Sequence, residues 1–165
     1  MKAPEGVIDI FLQPGDFYFG DETTRIRTLL GSCVSITMWH PRRRIGGMCH
    51  FMLPSRRQRD GEFQGKYADE ALALLLMHAK RHKTRPADYE IKLFGGGDMF
   101  PRQSQGRDSI SSKNIQAARQ LLLDHNLTPV SENVGASGHR NIIFEIWSGH
   151  VWVRHQPIRE VQGCR

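Results

Sequence analysis

Polar and apolar residues alternate along Arg25-Ile26-Arg27-Thr28-Leu29, the two-residue period of a strand with one buried face. Residues 6–12 are β-branched and partly alternating, and read as an earlier strand. After Gly31-Ser32-Cys33 the apolar pattern resumes over residues 34–39. A polar turn with Pro41 follows, and residues 45–53 form the next strand, opening on Gly46-Gly47 and ending before Pro54. So short a turn favours an antiparallel pair. Residues 55–65, arginine-rich and poor in apolar side chains, predict a mobile surface loop.

The period then changes. Ala68, Ala71, Leu72, Leu75, Leu76 and Ala79 recur at helical spacing, which predicts an amphipathic helix over about residues 67–82. Residues 89–94 are a short strand running into Gly95-Gly96-Gly97-Asp98. Ile115, Ala118, Leu121 and Leu122 mark a second helix, with Ser111 or Ser112 as its N-cap. Residues 127–134 are strand-like, and residues 141–147 and 150–154 flank Ser148-Gly149 as a hairpin. About eight strands and two helices result, with the strands in runs. That order favours an α+β fold: a mixed, largely antiparallel sheet sandwich covered by two helices. A chain of 165 residues suits one domain, here residues 1–165 with a frayed tail at 156–165.

Composition narrows the class. The chain is 39% hydrophobic and 24% charged, as an ordinary soluble domain is. No apolar run reaches the length of a membrane span, and residues 1–20 lack the pattern of an export signal, so the expected location is the cytoplasm. The net charge of +6 is concentrated at residues 42–44, 56–59 and 80–83. Solvated turns and helix ends account for these clusters, and no aromatic residues interleave with them as a nucleic-acid surface would require. Nucleic acid is therefore not an expected partner.

Cys33, Cys49 and Cys164 are too few, and odd in number, for a disulfide framework. Cys33 follows a Gly-Ser step between two strands, where a sharp bend leaves space beside the thiol and can aim backbone N–H groups at an oxyanion. His50 lies seventeen residues on. If the two strands pair, the start of one lies beside the end of the other, and thiol and imidazole approach. An imidazolium there would favour the thiolate. On spacing alone, a buried thiol and a satisfied core histidine are the plainer explanation of the pair. Zinc at Cys33, Cys49, His50 and His40 fits poorly, because adjacent strand residues point to opposite faces. The glycine run lacks the Lys-Ser/Thr of a phosphate loop, and Ser137 and His139 sit among turn residues.

The motifs together carry a resemblance. Leu30-Gly31-Ser32-Cys33-Val34 and Ile45-Gly46-Gly47-Met48-Cys49-His50-Phe51-Met52-Leu53-Pro54 resemble the CheD family of chemoreceptor glutamine deamidases. So do Lys66-Tyr67-Ala68, Lys92-Leu93-Phe94-Gly95-Gly96-Gly97-Asp98-Met99-Phe100, Asn114-Ile115, the Gly-x-x-Gly-His-Arg stretch ending at Arg140, and Gly149-His150-Val151-Trp152-Val153-Arg154. The resemblance implies a fold like that of the Cys-His toxin deamidases, and a Cys-His-Thr triad with Cys33 as nucleophile and His50 as general base. The family's threonine stands six residues before the cysteine. Arg27 occupies that position here and Thr28 the next, an offset that reverses facing on a strand unless a bulge intervenes. Thr28 is the expected third member.

The implied reaction is hydrolysis of a receptor glutamine amide. Cys33 attacks the carboxamide carbon, and backbone amides around Gly31 and Ser32 hold the oxyanion. His50 protonates the departing ammonia, then activates water to release glutamate from a thioester. No cofactor or metal is needed. The resemblance also implies methylesterase activity on the same receptors. The expected partners are chemoreceptor cytoplasmic domains and a CheC-type phosphatase. The alternative function is a non-catalytic adaptor that binds either of them.

Overall fold

The structure is a computed structural model that describes residues 1–103 and 109–159. Within them the chain forms nine strands, two α-helices and a 3-10 turn at Pro86–Asp88. The strands are β1 Ile8–Leu12, β2 Phe17–Gly20, β3 Thr24–Leu30, β4 Val34–His40, β5 Ile45–Cys49, β6 Glu90–Gly95, β7 Pro129–Val134, β8 His139–Glu145 and β9 His150–Gln156. The helices are α1 Ala68–Arg81 and α2 Ile110–Asp124.

Two sheets result. One is four-stranded, in the order β1-β3-β8-β9, and the other five-stranded, in the order β2-β5-β4-β6-β7. The pairs β1–β3 and β6–β7 are parallel and the rest antiparallel, so the α+β sandwich is mixed and largely antiparallel. Alternation places each face. Thr24, Ile26, Thr28 and Leu30 turn inward on β3, while Arg25, Arg27 and Leu29 turn outward. Ile26, Leu30, Met48, Phe94, Ile142 and Phe144 fill the seam between the sheets. Val34, Ile36, Met38 and Cys49 face the other way, against Ala71, Leu72 and Leu75 of α1 and Ile115, Ala118 and Leu122 of α2. Both helices therefore cover the outer face of the five-stranded sheet, giving three layers.

Several sequence expectations change. The additional strand is β2, whose four residues between Asp16 and Asp21 are too few to show a period. The strand expected over 45–53 ends at Cys49, because His50 turns its amide to Asp16 O and accepts from Gly15 N. The N-cap of α2 is Ser109, not Ser111 or Ser112: Ser109 is extended and its Oγ accepts from Ser112 N at 3.1 Å. Residues 55–65 are stapled rather than loose. Arg56 donates to both carboxylate oxygens of buried Glu70 at 2.9 Å, and Gln64 N donates to the same group. At the far end, β9 runs through Gln156 and Ile158 N donates to Ser137 Oγ; the rest of the expected tail, with Cys164, lies outside the described residues.

Candidate active site

The β4–β5 register runs from His40↔Ile45 to Thr37↔Met48. It extends to Val34 and Phe51, which exchange both backbone hydrogen bonds at 3.1 and 3.0 Å. Cys33 and His50 flank that pair. They are diagonal neighbours on one face of the ladder, a relation that separates backbone positions by roughly 7–8 Å and side chains by less. The face is fixed by alternation: Met48 enters the inter-sheet seam, Cys49 the helix-side core, and His50 the seam again. Cys33 packs at the edge of the same seam and is partly exposed. Cys49 and His50 thus point apart.

Across the seam stands Thr28. Its Oγ lies 2.7 Å from His50 Nδ1 and donates to Leu12 O at 2.9 Å. A hydroxyl has one proton, and Leu12 O can only accept it, so the proton between Thr28 and His50 belongs to Nδ1. The chain Nδ1–H to Thr28 to Leu12 therefore selects one tautomer and leaves Nε2 as a bare lone pair. Nε2 is buried and has no hydrogen-bonding partner among the described residues. The backbone of His50 is held from below, with Gly15 N donating to its carbonyl at 2.8 Å and its own N–H donating to Asp16 O at 3.0 Å.

No bulge brings Thr28 inward. The alternation through β3 is regular, and Arg27, one residue earlier, faces outward to pair with Asp9 at 3.1 Å. The inward set on β3 already contains position 28, so the offset requires no distortion of the strand.

Burial sets the charge states. His50 is 2% exposed, and desolvation lowers its pKa from 6.5 to about 4, with Asp16 opposing weakly. Burial also raises the Cys33 thiol above its ordinary range, against a hydrogen bond from Ser32. Both groups are neutral near pH 7. The imidazolium expected from the sequence is therefore absent at rest, because the seam is too poorly solvated to hold it. Cys49 is inert by comparison, its thiol pushed up to about 12 by complete burial.

The segment before Cys33 is held from two sides. Gly97 N donates to Gly31 O at 2.9 Å and Gly96 N to Cys33 O at 2.8 Å. The glycine run thus braces the Cys33 segment. It has positive φ at Gly95 and Gly96, and a Cβ at Gly97 would strike the Gly138 carbonyl oxygen. Arg140 holds this turn from beneath. It is 2% exposed and donates to Asn133 Oδ1, Gly95 O and Gly135 O, and no carboxylate pairs with it among the described residues. Asn114 of α2 reaches Ser32 O and Met52 O. Sequence reasoning gave neither Arg140 nor Asn114 a role. The signal for Asn114 was present: it occupies the core-facing stripe of α2 formed by Ser111, Ile115, Ala118 and Leu122, where an apolar residue is the norm.

Comparison with known proteins bears on the family. The family described as CheD chemotactic sensory transduction matches residues 52–155. A Pseudomonas savastanoi pv. phaseolicola protein named probable chemoreceptor glutamine deamidase CheD is 51% identical over 164 residues, covering 98% of this chain and 93% of its own. Proteins of the same name from Pseudomonas fluorescens and, as CheD 1, from Leptospira interrogans are 50% and 43% identical, covering 98% and 91% of this chain and 93% and 94% of theirs. Among solved structures, Bacillus licheniformis hypothetical protein YfiH superposes with a TM-score of 0.48 at 16% identity, over 72% of this chain and 49% of that one. On the family match and on identity over nearly the whole length, this chain belongs to the CheD family.

Proposed function

We propose that this protein deamidates glutamine side chains of chemoreceptors, with Cys33 as nucleophile, His50 as general base and Thr28 as the group that orients it. The observation that carries the reading is the bond from His50 Nδ1 to Thr28, continued to Leu12 O, which leaves a buried Nε2 lone pair on the face that bears Cys33. Cys33 Sγ attacks the carboxamide carbon as its proton passes to Nε2. The imidazolium formed then gives that proton to the departing nitrogen, and ammonia leaves. Water, deprotonated by Nε2, cleaves the thioester to glutamate and regenerates the thiol. Thr28 accepts from Nδ1–H throughout, so the ring keeps its orientation and the positive charge that forms on it keeps a partner. The Ser32 and Cys33 amides would face the oxyanion.

The proposed partner is a chemoreceptor cytoplasmic segment, which places the protein in the cytoplasm; among the described residues no helix is long and apolar enough to cross a membrane. A CheC-type phosphatase as a second partner, and methylesterase activity, rest on the family resemblance. The exposed arginines at 42–44 in the β4–β5 turn pair with no carboxylate among the described residues, although Arg43 donates to His82 O, and they are placed to steer an acidic receptor helix, whereas Arg56 is engaged by Glu70. The test of the covalent step is acid quench of enzyme turning over a receptor fragment, followed by mass spectrometry. A hydroxylamine-labile adduct on Cys33 is expected, and hydroxylamine added during turnover should divert product from glutamate to the glutamyl hydroxamate; deamidation with neither adduct nor hydroxamate contradicts the thioester.

A further inference from the structure

The Gly31, Ser32 and Cys33 carbonyls are each taken by a donor from another part of the fold, and the middle one is taken by a side chain. Asn114 Nδ2 donates to Ser32 O at 3.2 Å, and its second proton goes to Met52 O at 2.9 Å. Topology explains why both carbonyls need it. The β4–β5 ladder closes its last mutual pair at Val34 and Phe51. Beyond it, Met52 and Leu53 turn their amides to Lys66 O, the strands part, and Asn114 fills the fork. Asn114 is fully buried, and its Oδ1 has no partner among the described residues. An orphaned buried acceptor is costly, so an apolar side chain would suit mere filling better. The two donated bonds are what the position uses.

A trans peptide is planar, with C=O and N–H opposed. Fixing Ser32 O therefore fixes the direction of the Cys33 N–H, which no acceptor takes among the described residues. We infer that Asn114 is a positioning residue that sets the Cys33 N–H as an oxyanion donor, an inference that rests on Cys33 being the nucleophile. Misaligning that donor removes stabilisation only where negative charge develops on the substrate oxygen.

Two reactions of one thiol separate this role from a structural one. Alkylation by iodoacetamide displaces iodide from carbon and forms no oxyanion. Deamidation of a receptor fragment forms one. In Asn114→Ala, kcat per alkylatable Cys33 should fall about 10- to 100-fold, with KM and the alkylation rate unchanged. Asn114→Ser keeps one donor, should lose less, and serves if the alanine variant does not fold. Loss of alkylation in step with kcat, or no loss of kcat in either variant, overturns the inference. Cys33→Ala, assayed in parallel, tests the parent reading. If it still releases ammonia, that reading fails whatever Asn114 does. If it is inactive while the Asn114 variants turn over normally, only the positioning role fails.

Discussion

Thr28→Val is nearly isosteric, so it leaves no cavity and removes only the hydroxyl. Two buried groups then lose their partner: His50 Nδ1–H and Leu12 O. Leaving a buried polar group unpaired costs about 1–3 kcal/mol, so a stability loss of about 2–6 kcal/mol is expected for the pair. The effect on turnover has a separate origin. Without an acceptor at Nδ1 the ring is free to carry its proton on Nε2, and in that tautomer it cannot take the thiol proton. Each 1.4 kcal/mol of lost bias or orientation is a factor of about ten. A 10- to 100-fold drop in kcat corresponds to about 1.4–2.7 kcal/mol, within the range of the one bond removed. Thr28→Ser restores the hydroxyl and should recover most of the rate. Ammonia release from a receptor fragment measures turnover, and thermal melting of the same samples measures stability. If Thr28→Val melts lower yet turns over within about twofold of wild type, well short of the tenfold expected per 1.4 kcal/mol, Thr28 is a stabilising residue and orients nothing.

Three further outcomes follow from the same geometry. His50 is neutral when folded, with its pKa lowered to about 4 from 6.5, so as pH falls the unfolded chain binds the proton first. Stability should be full above about pH 6.5 and decline towards pH 4 by up to about 3 kcal/mol; urea unfolding of His50→Gln should show a shallower acid slope, and an identical slope would mean that His50 is not held neutral. Iodoacetamide should label Cys33 but not Cys49 in native protein, with a rate that rises into the alkaline range, since burial raises the Cys33 thiol; a labelling rate already at its plateau at neutral pH would instead indicate a resting ion pair. Arg140→Ala should lower stability by about 3–5 kcal/mol, because it strips Gly95 O, Gly135 O and Asn133 Oδ1 of their donor; melting unchanged within error would show that the buried guanidinium contributes nothing net.

What could be read from the sequence depended on the range of the interaction. The period on β3, the helical stripes and the hairpin at Ser148-Gly149 are local signals, and the elements formed where they pointed. The Cys33–His50 approach was legible because it needs only one antiparallel pair joined by a short turn. Thr28 was reachable only through resemblance, because it sits on the opposite sheet and the contact depends on how the two sheets stack. The charge states were not legible: spacing suggests an imidazolium beside a thiol, while burial in the seam, a property of the packed layers, leaves both neutral. Arg56 likewise read as one member of a solvated cluster, and only its partner Glu70, fourteen residues away on α1, shows it to be a staple.

The central claim is that Cys33 converts receptor glutamine to glutamate. Its most direct test is mass spectrometry of a purified chemoreceptor fragment, with ammonia measured in the same reaction, after incubation with wild-type protein or with Cys33→Ala. Glutamate should appear at defined glutamines with matching ammonia in the wild-type reaction alone; equal conversion by both proteins, or none by either while the fragment is bound, contradicts it.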